Sequence, residues 1–133
     1  MVVDASVWVA YFLTADVHHH ASLRWLQEQT RLGIELLVPD LALPEVSGPV
    51  ARSTGRPDEG LEAAHRMVQR VGIRRVGLDR QLMDQAMMLA ARLRLRGADA
   101  VYVAVALRHR VPLVTWDTQM RARAGGVVPV LQP

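Results

Sequence analysis

The stretch Gly97-Ala-Asp-Ala-Val-Tyr-Val-Ala-Val-Ala-Leu-Arg-His-Arg-Val-Pro-Leu-Val-Thr-Trp-Asp117 constrains the fold more than any other part of the chain. Asp99 stands where a helix begins, with Gly97 loosening the chain before it. Ala100, Val101, Val103, Ala104, Ala106 and Leu107 make that helix apolar nearly all round. A helix without a polar face belongs in a core. Pro112 closes it, and Leu113-Val114-Thr115 reads as a short buried parallel strand with Asp117 just past its C-terminal end. Helix and strand are half of an α/β crossover. In open α/β sheets ligands bind outside the carboxyl ends of the strands, so Asp99 and Asp117 are aimed at one crevice.

The same layout recurs earlier in the chain. Val2-Val3 is a minimal buried strand ending in Asp4, and Ser6 opens the apolar segment Val7 to Leu13. An aspartate in such a place is ordinarily a helix cap, but its recurrence at several strand ends weakens that explanation here. His18-His19-His20 enter the next helix. Successive helical side chains diverge by about 100°, so three adjacent histidines cannot share a face, and a polar helix start is expected rather than a zinc site. Leu36-Leu37-Val38 is the second strand. The segment after it, interrupted by Pro44 and Pro49, holds Glu45 between Leu43 and Val46 with no basic residue three or four positions away.

Pro57 and Asp58 start a helix whose expected core stripe is Leu61, Ala64, Val68 and Val71, with Arg66 and Arg70 on its outer side. Ile73 to Val76 reads as an edge strand. Asp79 caps a helix with the stripe Leu82, Ala86, Leu89, Ala90 and Leu93, while Asp58 and Asp84 are expected to be caps or solvated charges. Met120 to Arg123 is expected to form a single helical turn, and Val127 to Leu131 a final strand. Strands and helices alternate over residues 1–133 with no repeat or domain boundary, which predicts one α/β domain with a central, mostly parallel sheet flanked by helices.

Four carboxylates, Asp4, Glu45, Asp99 and Asp117, therefore fall at strand ends or helix starts along one edge. Left bare they would repel one another and raise their own pKa values, and a divalent cation removes that conflict. The donors are all oxygen and the chain has no cysteine, which favours Mg2+ or Mn2+ over zinc. All sixteen basic side chains are arginine. With the four acids set aside, these outnumber the nine remaining acidic residues, so a positive body surrounds a concentrated acidic spot. That distribution suits an anionic polymer bound through divalent cations. Arg92, Arg94 and Arg96 lead directly into Gly97 and Asp99 and are candidate phosphate contacts. No apolar run approaches the roughly 20 residues of a membrane span, and the opening Met-Val-Val-Asp lacks the layout of a signal peptide, so a soluble cytoplasmic protein is expected. The absence of lysine argues against a receiver-type phosphoacceptor, and neither a GK[ST] loop nor GxGxxG is present.

The pieces Val-Val-Asp4-Ala-Ser6, Leu-Pro-Glu45-Val, Gly97-Ala-Asp99-Ala-Val-Tyr-Val-Ala-Val-Ala and Leu-Val-Thr115-Trp-Asp117, in this order and spacing, resemble the PIN-domain ribonucleases. The closest resemblance is to the VapC-type toxins of bacterial toxin–antitoxin pairs. It implies metal-dependent hydrolysis of RNA by Asp4, Glu45, Asp99 and Asp117, with Ser6 and Thr115 supplying hydroxyls to the metal-binding acids. It also implies an inhibitory antitoxin and a homodimer, for which the helix carrying Met83, Met87 and Met88 is a candidate surface. Two positions depart from the family pattern: Gly48, where a polar residue is usual, and Trp116, where a small one is. The alternative is a PIN-like module that binds RNA or protein without cutting.

Overall fold

Two valines suffice to place the first strand at the centre of a sheet, because everything on both sides of it is apolar. In the computed structural model, which describes residues 1–133, β1 (Val2–Val3) lies between β2 (Leu36–Pro39) and β4 (Leu113–Val114). β3 (Ile73–Val76) and β5 (Val130–Leu131) are the edges, giving the order β3-β2-β1-β4-β5 with every pairing parallel. Val2 pairs with Leu113 and Val3 with Val114, so the two central strands end at the same level. The chain winds outward through β2 and β3, then crosses back to build β4 and β5 on the other side of β1. The direction reverses between β1 and β4, and that is where a crevice opens in a sheet of this kind.

Seven helices connect the strands: α1 (Ala5–Phe12), α2 (His19–Arg31), α3 (Ala42–Thr54), α4 (Pro57–Gln69), α5 (Arg80–Leu93), α6 (Gly97–His109) and α7 (Thr118–Ala124). α6 packs on β1, β2 and β4, and its residues from Ala100 to Ala106 are all buried, as its uninterrupted apolar sequence requires. Asp79 caps α5 by accepting from the Leu82 amide at 2.7 Å. α3 runs through Pro49 without a break, although Pro49 has no amide hydrogen to give the ladder.

The structure corrects three sequence expectations. The buried face of α4 is Gly60, Ala63, Ala64 and Met67, while Leu61 and Val71 are exposed. The cause is the closeness of α3: a Cβ on Gly60 would lie 2.3 Å from the Ser47 carbonyl oxygen, so only small residues fit the contact. Arg70 is no outward decoration either. Its guanidinium donates to the Leu26 carbonyl at 3.2 Å and to Thr30 Oγ1 at 3.0 Å, tying the end of α4 to α2. The last strand shrinks to Val130–Leu131, and the turn after Asp117 lengthens into α7, which draws Val128 into the core instead of the sheet.

Candidate active site

Asp4 leaves β1 with extended backbone and caps α1, its Oδ2 accepting from the Ser6 amide at 3.3 Å. The same oxygen accepts from the Ser6 hydroxyl at 2.5 Å and the Thr115 hydroxyl at 2.8 Å. Thr115 stands directly after β4, the strand paired with β1, which is why residues 111 positions apart meet here. All three bonds fall on Oδ2, leaving Oδ1 without a protein donor. Asp4 is only 6% exposed. Burial raises its pKa above the ordinary value, the hydroxyls of Ser6 and Thr115 oppose the rise, and the charge of Asp99 adds to it.

Asp117 lies three residues past the end of β4 and caps α7, Oδ1 accepting from the Met120 amide at 2.8 Å. Its own amide donates to Thr115 Oγ1 at 2.9 Å, so Thr115 fixes both Asp4 and Asp117. Asp99 lies in the first turn of α6 and Glu45 in the first turn of α3. Tyr102, one turn past Asp99 and buried, donates its hydroxyl to Glu45 Oε2 at 2.7 Å. Desolvation raises the pKa of Glu45; Tyr102 and Arg96 oppose the rise, and Asp4 and Asp99 reinforce it.

The expected edge thus gathers all four acids around one crevice of about 660 Å³. Asp16 lines the same crevice, and Arg96 enters it as a positive charge. Its Nε donates to Asp99 Oδ2 at 2.8 Å, one Nη to Asp99 Oδ1 at 3.2 Å, and the same nitrogen to Asp117 Oδ2 at 2.7 Å. As the side chains stand, no three of the acids are arranged to hold a single ion. A guanidinium nevertheless occupies the space between two of them, so the crevice stabilises positive charge. The donor set, all oxygen with Asp4 Oδ1 and Glu45 Oε1 unengaged by the protein, fits a hard divalent cation. Arg96 is 73% exposed against 13% for Asp99 and 23% for Asp117, so its bridge can open outward without disturbing the core.

Of the three arginines singled out in sequence, only Arg96 lines the crevice; Arg92 and Arg94 do not. Arg94 takes a left-handed conformation that ends α5, and its carbonyl accepts from Arg123. Three other residues reach the site unannounced. Arg52 lies on α3 two helical turns past Glu45, and the missing side chain of Gly48 gives it room: a Cβ there would lie 3.2 Å from Arg52 Nη1. The seven-residue spacing from Glu45 was the available signal. His18 and Trp116 also line the crevice, with rings stacked 4.0 Å apart and 8° from parallel. His19 turns away to the Ala10 carbonyl, 3.0 Å from Nδ1, so the three histidines do not converge.

The sequence matches the PIN domain family over residues 1–126. No curated protein matches the chain by sequence. The fold is similar to that of Mycobacterium tuberculosis VapC20, a sarcin–ricin loop cleaving toxin, with a TM-score of 0.79, 20% identity and coverage of 91% of this chain and 92% of that one. It is also similar to a chain of a toxin–antitoxin complex from Klebsiella pneumoniae (TM-score 0.71, 16% identity, 98% and 94% covered). A third similar fold occurs in VapBC2 from Rickettsia felis bound to a promoter DNA fragment (0.70, 10% identity, 98% and 96% covered).

Proposed function

This chain belongs to the PIN-domain family, and from that premise we propose that it is a metal-dependent endoribonuclease, the toxin of a toxin–antitoxin pair. The observation that carries the reading is the meeting of Asp4, Glu45, Asp99 and Asp117 at the reversal point of the sheet, around a crevice already holding a cationic side chain. Asp4, Asp99, Asp117 and Glu45 would hold Mg2+ or Mn2+, which supplies Lewis acidity toward a phosphodiester and lowers the pKa of bound water. Thr115 and Ser6 hold Asp4 in one orientation, and Thr115 also positions Asp117. Tyr102 holds Glu45 through Oε2, which leaves Oε1 to face the ion. Attack of water at phosphorus would break the bond to the 3′ oxygen, leaving a 5′-phosphate and a 3′-hydroxyl, the water's proton passing to solvent and the 3′ oxygen taking one from it. Arg52 and Arg96 lie where flanking phosphates would pass.

An antitoxin and a homodimer belong to the same reading. The solved toxin–antitoxin complexes of similar fold support the first. Met83 and Met87 support the second: both are exposed and, with Leu41, Leu78 and Val101, they line an apolar groove of about 270 Å³. Met88, on the same helix, is exposed as well. No helix is long and apolar enough to cross a membrane, and we place the protein in the cytoplasm, where its substrate would be. One observation favours a non-catalytic RNA- or protein-binding module instead, namely the arginine bridge between Asp99 and Asp117. Incubation with total RNA decides between the two. Cleavage in Mg2+ that stops with chelator and with Asp99→Asn, leaving 5′-phosphate ends, is the expected result; RNA bound but uncut in both Mg2+ and Mn2+ would establish the binding module.

A further inference from the structure

The crevice has an aromatic wall that acid chemistry does not require. Trp116 stands between Thr115 and Asp117, and both edges of the residue are fixed. Its amide donates to the Ser6 hydroxyl at 3.1 Å and its indole Nε1 to Ser22 Oγ at 2.9 Å. Ser22 is fully buried, and its only side-chain bond is the one to Trp116. His18 stacks on the indole, held in place by its backbone amide, which donates to Asp16 Oδ1 at 2.7 Å. The His18 ring makes no hydrogen bond, so stacking alone engages it. Both rings are partly exposed and both line the space that Asp4 and Asp117 line.

We propose that the His18 and Trp116 pair is a base-binding platform, holding by stacking an unpaired nucleobase of the RNA next to the phosphate at the acids. The inference rests on the ribonuclease reading and names the substrate as single-stranded at that point. Stacking is open to any base, because every base has a π face, and bases inside an A-form duplex are not available to it. The Ser6 hydroxyl, shared between Asp4 and the Trp116 amide, couples the platform to the acids, so a stacked base is presented at a fixed distance from the reacting phosphate. Arg52 lines the same crevice and would neutralise the adjoining backbone. Stacking, charge and acids therefore each address a different part of one nucleotide step.

The test is read without cleavage. In chelator, a short single-stranded oligoribonucleotide and an abasic ribose-phosphate chain of equal length are titrated against wild type, Trp116→Ala, Trp116→Phe and His18→Ala, each verified as folded by circular dichroism. Wild type is expected to prefer the base-bearing chain about tenfold or more. Trp116→Ala should bring the two affinities together, Trp116→Phe should restore most of the preference, and His18→Ala should lower it. A folded Trp116→Ala that keeps the wild-type preference overturns the platform; if that variant does not fold, an unchanged preference in His18→Ala overturns it. The ribonuclease reading fails separately. A base preference that depends on Trp116 in a protein that never cuts RNA in Mg2+ or Mn2+ would uphold the platform and refute the nuclease, and wild type that shows no preference for the base-bearing chain yet cuts RNA in Mg2+ would refute the platform and uphold the nuclease.

Discussion

Arg96 Nη2 lies 2.7 Å from Asp117 Oδ2, a contact spanning 21 residues that brings the start of α6 against the end of β4. With its second hold on Asp99, the guanidinium stands between two carboxylates that the proposed function assigns to a metal ion. The arginine and the ion therefore compete for the same oxygens. Arg96→Ala should tighten Mn2+ binding by about three- to tenfold, in line with the roughly 1 kcal/mol that an exposed pair contributes. It should also weaken RNA binding, since it removes a phosphate contact. Isothermal titration with Mn2+, followed by titration with RNA, reads both effects.

Asp4 is a buried carboxylate whose ionised form burial disfavours. Asp4→Asn removes that charge and keeps an oxygen to accept from Ser6 and Thr115. The variant should lose RNA cleavage entirely. Without metal at pH 7 it should be no less stable than wild type, and we expect a gain of about 1–2 kcal/mol, or roughly 3–8 °C in Tm. Thr115→Val should do the reverse to stability, costing about 1–2 kcal/mol by stripping a donor from Asp4 and an acceptor from the Asp117 amide. Thermal denaturation of the three proteins in chelator checks both statements.

The acids also set a pH dependence of unusual sign. In the folded state Asp4 and Glu45 titrate above their ordinary values of 3.8 and 4.5, so between those values and the raised ones the folded state holds more protons than the unfolded. Their contribution to stability is intact below about pH 4 and is lost as pH rises through the raised values. A divalent cation competes with the same protons. The Tm gain on adding Mg2+ should therefore be negligible near pH 4 and grow toward pH 8. In Glu45→Gln both the loss of metal-free stability and the growth of the Mg2+ effect should be smaller. A melting series in pH steps, with and without Mg2+, measures this.

Gly60 tests the packing apart from the site. Gly60→Ala should cost about 1–3 kcal/mol, because its methyl group would meet the Ser47 carbonyl and Ala51 Cβ and force α3 and α4 apart. Metal affinity should change little while the protein stays folded, since the contact lies on the far side of α3 from the crevice lining. Denaturant unfolding and Mn2+ titration of the same sample separate the two effects.

What could be read from the sequence was set by local pattern. α6 is apolar on every side and could only be a core helix, and the acids at strand ends and helix starts declared their edge because parallel strands all finish at one side of a sheet. Asp4, Glu45, Asp99 and Asp117 do line one crevice. What escaped depended on neighbours distant in the chain. The stripe Leu61 to Val71 has helical period, yet the tight approach of α3 selects Gly60, Ala63 and Ala64 instead. Arg70 looks like a solvated charge until α2 supplies the Leu26 carbonyl. Tyr102 was the one polar side chain in the run from Ala100 to Leu107, and its partner on α3 could not be inferred from spacing. The pairing of His18 with Trp116 joins a loop to a strand end 98 residues later, which no periodicity encodes.

The central claim is that the acids form one cation site from which Arg96 must withdraw. Diffraction from crystals soaked in Mn2+, recorded for anomalous signal, tests it most directly. The account requires a peak in the crevice at about 2.0–2.2 Å from carboxylate oxygens of the set Asp4, Glu45, Asp99 and Asp117, with the Arg96 guanidinium turned outward. A crevice without a peak at saturating Mn2+, with Arg96 still bridging Asp99 and Asp117, would contradict it.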